Sequence, residues 1–386
     1  MFGVFIEKGA VNIHMNLLYG IGFVTALLIA LLMTPLVKRF AFWVGAVDAP
    51  NHRKVHNRIM PRLGGLAIFI AFIGAYFVIS PAIDSLKNDV VFGLLVGGAI
   101  VVLIGAFDDR YDLSPKIKLL GQILAACVVV YSGVTIELVN VPFGDGTISL
   151  SWLSVPLTIF WIVGVTNAIN LIDGLDGLSA GVSGIATTTI LVLALMMGNT
   201  TVVLLCVVLL GSIAGFLFYN FHPAKIFMGD SGALFLGFCL ATLSVLGFKQ
   251  ATVVSLLVPV MILGVPLSDT FFAILRRWVN NLPISVADKS HLHHCLLQLG
   301  FSHRTTVLII YGIALLFGSS AVLLSYMSEQ QTLWGAVILV VVLLCILVLG
   351  AEAIGIISKT RKPVLKFLNK IRMKTMQLSD RSRVSK

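Results

Sequence analysis

The chain has 386 residues, of which 58% are hydrophobic and 11% charged, with a formal net charge of +10. That balance excludes an ordinary soluble globular protein, and runs of about twenty apolar residues, each able to cross a hydrocarbon core of about 30 Å, recur along almost the whole chain. The positive charge does not point to nucleic acid, because no such fingerprint is present and the basic residues fall between or after the apolar runs.

In chain order, hydropathy predicts membrane spans near 16–37, 64–83, 90–107, 117–133, 151–170, 176–197, 200–219, 231–248, 251–275, 305–326 and 332–357. The expected architecture is an all-α polytopic membrane protein of about eleven helices. Residues 1–357 form one integral membrane catalytic domain and 358–386 a basic cytoplasmic tail. The first span is too long for a signal peptide, and Met15 just before it suggests that residues 1–14 are dispensable or an upstream start. Alternate loops and the tail carry 24 of the 27 lysines and arginines, so the positive-inside rule puts those loops in the cytoplasm and the N-terminus outside. Residues 134–150 alternate apolar and polar around Gly144-Asp145-Gly146, which predicts a small outer β-hairpin. The tail pattern Val364, Leu365, Leu368, Ile371, Met376 among basic residues suits either a helix lying on an anionic leaflet or a solvated topology determinant.

Carboxylates are costly near a membrane, and nine of the chain's acids fall in five segments on the expected cytoplasmic side. If the third helix continues through Asp108-Asp109-Arg110-Tyr111-Asp112, Asp108 and Asp112 share a face and need a compensating cation, either Mg²⁺ or Arg110, Lys116 and Lys118. Asn167, Asn170, Asp173 and Asp176, with glycine after each acid, form a tight loop. It suits a nucleotide ligand, or else capping and turn formation. In Asn220 to Gly232, Asp230 and Ser231 start a helix beside a glycine, offering N–H groups to an anion and a carboxylate to a metal, while Phe227 can stack on a base. A simple N-cap with an interfacial aromatic explains the same pattern. His291, His293 and His294 follow Asp288 and suit a diphosphate better than zinc, for which no second ligand pair exists. Asp269 pairs either with Arg276 or Arg277 or with the site. Lys54, His56 and Arg62 belong to a dense basic loop, a phosphate contact or a topology signal, ahead of Gly64-Gly65.

Taken together, DAPNHRKVH, PRLGG, DDRYD, NAINLIDGLDG, KIFMGDSG and HLHH, in that order and on one face, resemble the polyprenyl-phosphate N-acetylhexosamine-1-phosphate transferases over nearly the whole chain. The resemblance implies a multi-pass enzyme of the bacterial cytoplasmic membrane with its active site facing the cytoplasm. It implies Mg²⁺, with Mn²⁺ as a substitute, and transfer of a sugar 1-phosphate from a UDP-sugar to a lipid phosphate with release of UMP. HLHH and PRLGG resemble the branch that uses UDP-N-acetylglucosamine and undecaprenyl phosphate to start teichoic acid, O-antigen or enterobacterial common antigen assembly, rather than the muramoyl-pentapeptide branch. By motif position, Asp230, with Asp173, resembles the metal site, and Asp108 and Asp109 the catalytic pair. Asn170, Asp173, Asp176, Asn220 and Phe227 resemble the nucleotide pocket, and His291, His293 and His294 the diphosphate contacts, with Arg62, Lys54 and His56 as further substrate contacts. A homodimer is compatible with this reading. The competing class is a secondary transporter, against which stands the position of the acids at helix ends rather than at midplane.

Overall fold

A computed structural model describes residues 2–48, 59–82, 89–140, 147–248, 257–281 and 291–329, with 340, 343 and 344. Within these residues the chain is a helical bundle. Its helices are α1 (Phe2–Val44), α2 (Gly64–Ile79), α3 (Asp89–Tyr111), α4 (Pro115–Tyr131), α5 (Ser154–Ile172), α6 (Leu178–Met196), α7 (Thr200–Asn220), α8 (Gly229–Phe248), α9 (Leu257–Ile262), α10 (Gly264–Val279), α11 (Leu292–Gln298) and α12 (His303–Glu329). Eight of them are long and apolar enough to cross a membrane, among the described residues: α1 from Met15, α2, α3, α5, α6, α7, α8 and α12.

The boundaries follow local chemistry. Pro115 opens α4, where its missing N–H costs nothing. The side chain of Asn199 accepts a hydrogen bond from Val202 N–H at 3.2 Å and caps α7. The single span expected over 251–275 is instead two helices parted at Leu263. Pro266 has no N–H to offer the carbonyl of Ile262, so the hydrogen-bond ladder fails there. Residues 251–256, the last expected span and the basic tail lie outside the described residues.

Two small antiparallel ladders complete the fold. β3 (Leu138–Asn140) pairs with β4 (Thr147–Ser149), with Val139 opposite Ile148, as the alternation between 134 and 150 predicts; the turn itself lies outside the described residues. β1 (Val47–Asp48) pairs with β2 (Met60–Pro61) and closes the base of the basic loop, a ladder the sequence did not signal.

The bundle is organised around α8, which touches α2, α3, α5, α6, α7 and α9. Phe235 of α8 meets Phe69 and Phe72 of α2 edge-on, with ring centroids 5.2 and 5.7 Å apart. At the start of α8 the neighbours are glycines: a methyl group on Gly65 would strike Gly232 backbone, and one on Gly105 would strike Ser231 backbone. These obstacles cannot rotate away as a side chain could. Close backbone approach through small residues is how membrane helices pack, and here it seats α8 between α2 and α3. Gly105→Ala is therefore expected to cost about 1–3 kcal/mol through overpacking. In detergent it should lower the thermal unfolding midpoint, and an unchanged midpoint would contradict this packing role.

Candidate active site

The first residues of α8 carry the centre of the site. Gly229 has φ +71° and lies against the Asp109 carboxylate, with no room for a side chain. Asp109 Oδ1 accepts the Asp230 N–H at 2.8 Å, while its Oδ2 accepts the Ser231 N–H at 3.1 Å and the Ser231 hydroxyl at 2.9 Å. A carboxylate from the end of α3 thus caps the opening turn of α8, whose N–H groups have no partner within the helix. Asp109 is buried, and both its oxygens are taken.

Asp108 faces differently. Its Oδ1 accepts the Leu113 N–H at 2.8 Å, and its Oδ2 receives Lys118 Nζ at 3.0 Å. The same ammonium reaches Asp230 Oδ2 at 2.8 Å. Lys118, from the first turn of α4, is the cation that answers the crowding of negative charge. Asp112 does not share the face of Asp108. The helix ends at Tyr111, Asp112 takes φ +48°, and its carboxylate is exposed, because the chain must turn there to start α4.

Asp173 ends α5, and Asn170, one turn earlier, hydrogen-bonds Asp230 through its side chain. Burial, followed by the charges of Asp230 and Asp109, pushes the Asp173 carboxyl well above the usual carboxylate range, with Arg62 opposing. Asp108 and Asp230 share the Lys118 ammonium, and Asp109 and Asp173 crowd their negative charge against Asp230. An oxygen-rich donor set short of positive charge fits a hard divalent cation such as Mg²⁺, and Asp230 and Asp173 are the two of these four that border the neighbouring cavity without capping α8.

Beside this cluster opens a cavity of about 350 Å³ lined by Asp48, Arg62, Asp173, Asp176, Asn220 and Phe227, with Asp109, Asp230, His222, His294 and His303. Backbone pairing builds its wall. Phe227 N–H donates to Pro61 O at 2.9 Å, Gly64 N–H to Phe227 O at 3.0 Å, and Gly65 N–H to Met228 O at 2.9 Å. This brings the PRLGG loop alongside KIFMGD. Asn220 links two other segments, its Oδ1 accepting Gly177 N–H at 3.1 Å and its Nδ2 donating to Ile226 O at 3.0 Å. Arg62 pairs with Asp48 at 3.2 Å across the β1–β2 ladder. Lys54, His56 and Asp288 lie outside the described residues.

The histidines are layered. His294 borders the cavity, whereas His291 and His293 are buried behind it. His293 fits against Gly174, and burial together with its histidine neighbours drives its pKa down to about 3, so it is neutral at physiological pH. Asp269 resolves in favour of the site. Its Oδ2 lies 2.9 Å from His291 Nδ1, and its Oδ1 accepts the Leu292 N–H at 2.9 Å. Sequence reasoning passed over His303, because a histidine opening a helix 127 residues after Asp176 carries no local signal, and it did not single out His222 within its segment.

Residues 91–248 match the model for glycosyl transferase family 4, a stretch that includes Asp108, Asp109, Asp173, Asp176, Asn220 and Asp230. A probable undecaprenyl-phosphate N-acetylglucosaminyl 1-phosphate transferase of Bacillus subtilis is 46% identical over 352 residues, covering 91% of this chain and 96% of that protein. The chain belongs to glycosyl transferase family 4. Further family relatives are a decaprenyl-phosphate N-acetylglucosaminephosphotransferase of Mycobacterium tuberculosis, 37% identical over 81% of this chain and 85% of its own, and a phospho-N-acetylmuramoyl-pentapeptide-transferase of Geobacillus kaustophilus, 33% identical over 77% and 93%. Membership in the family sets the transporter reading aside.

Proposed function

We propose that this chain transfers N-acetylglucosamine 1-phosphate from UDP-N-acetylglucosamine to undecaprenyl phosphate and releases UMP. The observation that carries the reading is the 46% identity, sustained over 96% of the Bacillus subtilis relative, against 33% for the pentapeptide transferase. The excess of lysine and arginine in alternate loops supports a site facing the cytoplasm of a bacterial cell, and the proposal takes the chain as one catalytic domain of about eleven spans.

Asp230 lines the cavity and also holds Lys118, so it stands between a pocket for the donor and the Asp108–Lys118 pair. The UDP-sugar enters the cavity, its nucleotide near Asp176, Asn220 and Phe227 and its diphosphate between Arg62 and His294. Lys118 attracts the lipid phosphate beside Asp108. A phosphate monoester with a second pKa near 6 is largely dianionic at neutral pH, so little base catalysis is needed. Asp108 orients it and accepts a residual proton. A lipid phosphate oxygen bonds to the sugar-linked β-phosphorus, and the bond from that phosphorus to the bridging oxygen breaks and leaves with UMP. Mg²⁺, with Mn²⁺ as a substitute, would be held by Asp230 and Asp173 and would neutralise the diphosphate. Asp109 positions Asp230.

Direct attack predicts that labelled UMP does not exchange into UDP-N-acetylglucosamine unless lipid-linked product is present. Exchange without any lipid would establish a phosphorylated enzyme instead. Asp269→Asn gives a separate expectation. Asparagine has one accepting oxygen and no charge, so it cannot hold both His291 Nδ1 and the Leu292 N–H with carboxylate oxygens, and the histidine segment loosens. KM for the UDP-sugar should rise about tenfold with a smaller change in kcat. Unchanged KM would remove Asp269 from the positioning of that segment.

A further inference from the structure

The mechanism gives no role to His222 or His303, which gather beside Asp176. Asp176 lies in the loop after α5, His222 between α7 and α8, and His303 at the start of α12. One ligand atom from each lies within 4.8 Å of the other two. His222 Nδ1 is 2.8 Å from Asp176 Oδ2, and the two imidazoles stack with centroids 4.2 Å apart and planes 22° apart. Nε2 of His303 is buried and has no hydrogen-bond partner among the described residues. All three residues line the cavity. A buried imidazole nitrogen without a partner is costly unless something else satisfies it.

We propose that Asp176, His222 and His303 form a binding site for a transition-metal dication of the zinc class, distinct from the carboxylates at Asp230. Two imidazoles and one carboxylate, with a fourth position left open, make a donor set that zinc favours, whereas Mg²⁺ prefers oxygen. Ligand atoms around a tetrahedral zinc lie about 3.3 Å apart, given bond lengths of about 2.0–2.2 Å. Binding therefore draws the ligand atoms closer and tilts the two imidazoles out of their stack, so that their nitrogen lone pairs converge on one point. The three segments are already tied together: Ala224 N–H donates to Asp176 Oδ2 at 3.1 Å, Arg304 to His222 O at 3.2 Å, and the Tyr311 hydroxyl to Gly177 O at 2.5 Å. Zinc takes the place of the direct contact between His222 Nδ1 and Asp176 Oδ2. Because Asp176 faces the nucleotide in the function proposed above, the bound metal competes with the UDP-sugar. This consequence rests on that reading, but the binding does not.

The test uses full-length protein in detergent, stripped of metal and titrated with Zn²⁺ against a chromophoric chelator in excess Mg²⁺, with no substrate present. One equivalent of zinc should be retained. His303→Gln and His222→Gln should each weaken it about 100-fold or more, and His294→Gln should not. Failure of the wild type to compete with the chelator, equal binding by His303→Gln, or loss on His294→Gln would overturn the proposal. Should the histidine variants not fold, Co²⁺ added to the wild type decides: intense visible bands of a four-coordinate ion support the site, and the weak bands of a six-coordinate ion refute it. Because no turnover is measured, this result stands apart from any failure of the transferase reading.

Discussion

Asp230→Asn should reduce UMP release about a thousandfold while leaving the helical content and the expression of the protein unchanged. The size of the effect follows from the position of the residue. Asp230 borders the cavity, receives Lys118 at 2.8 Å and accepts a hydrogen bond from Asn170. It is the only carboxylate among the described residues that both lines the cavity and binds that lysine. Asparagine keeps the shape and the N-cap contact to Asp109, because that contact uses the backbone N–H of residue 230. What disappears is the charge. Turnover within tenfold of wild type would remove Asp230 from the reaction centre and, with it, the proposed metal role.

The second large effect separates two neighbouring carboxylates that the sequence presents as equivalent. Asp109→Asn replaces one of two accepting oxygens with an NH₂ group that faces N–H and O–H donors at the start of α8. The loss resembles removal of a helix cap, about 1–2 kcal/mol, so both the unfolding midpoint and the turnover should fall. Asp108→Asn should abolish turnover to a similar extent, at least a hundredfold, but spare the midpoint. The Leu113 N–H can still be accepted by the amide oxygen, and removal of the charge relieves repulsion with Asp230. Equal destabilisation by both changes would mean that Asp108 too is a structural residue.

The fold was largely legible because membrane helices announce themselves by length and hydropathy, and eight of the expected spans reappear as helices of suitable length. From residue 257 the expected 251–275 span is two helices rather than one, because hydropathy does not register the missing N–H of Pro266. The candidate site was legible as a set of motifs but not as a set of roles. Asp108 and Asp109 are adjacent in sequence, yet one meets a lysine and the other caps a helix 120 residues away, a division that only packing creates. The histidine motif shows the same limit. Its three members are equivalent as a string, whereas burial leaves His294 on the cavity and puts His291 against Asp269. Lys118 was named among three balancing cations, and the geometry singles it out because its ammonium meets both Asp108 and Asp230.

The account rests on the identity of the donor and acceptor, and one assay tests it most directly. Detergent-purified protein is given undecaprenyl phosphate and Mg²⁺, with UDP-N-acetylglucosamine or UDP-N-acetylmuramoyl-pentapeptide in separate reactions, and UMP is measured. Release of UMP with the first donor alone, dependent on the lipid, is the predicted result. Release with the second donor alone, or with neither in folded protein, would contradict it.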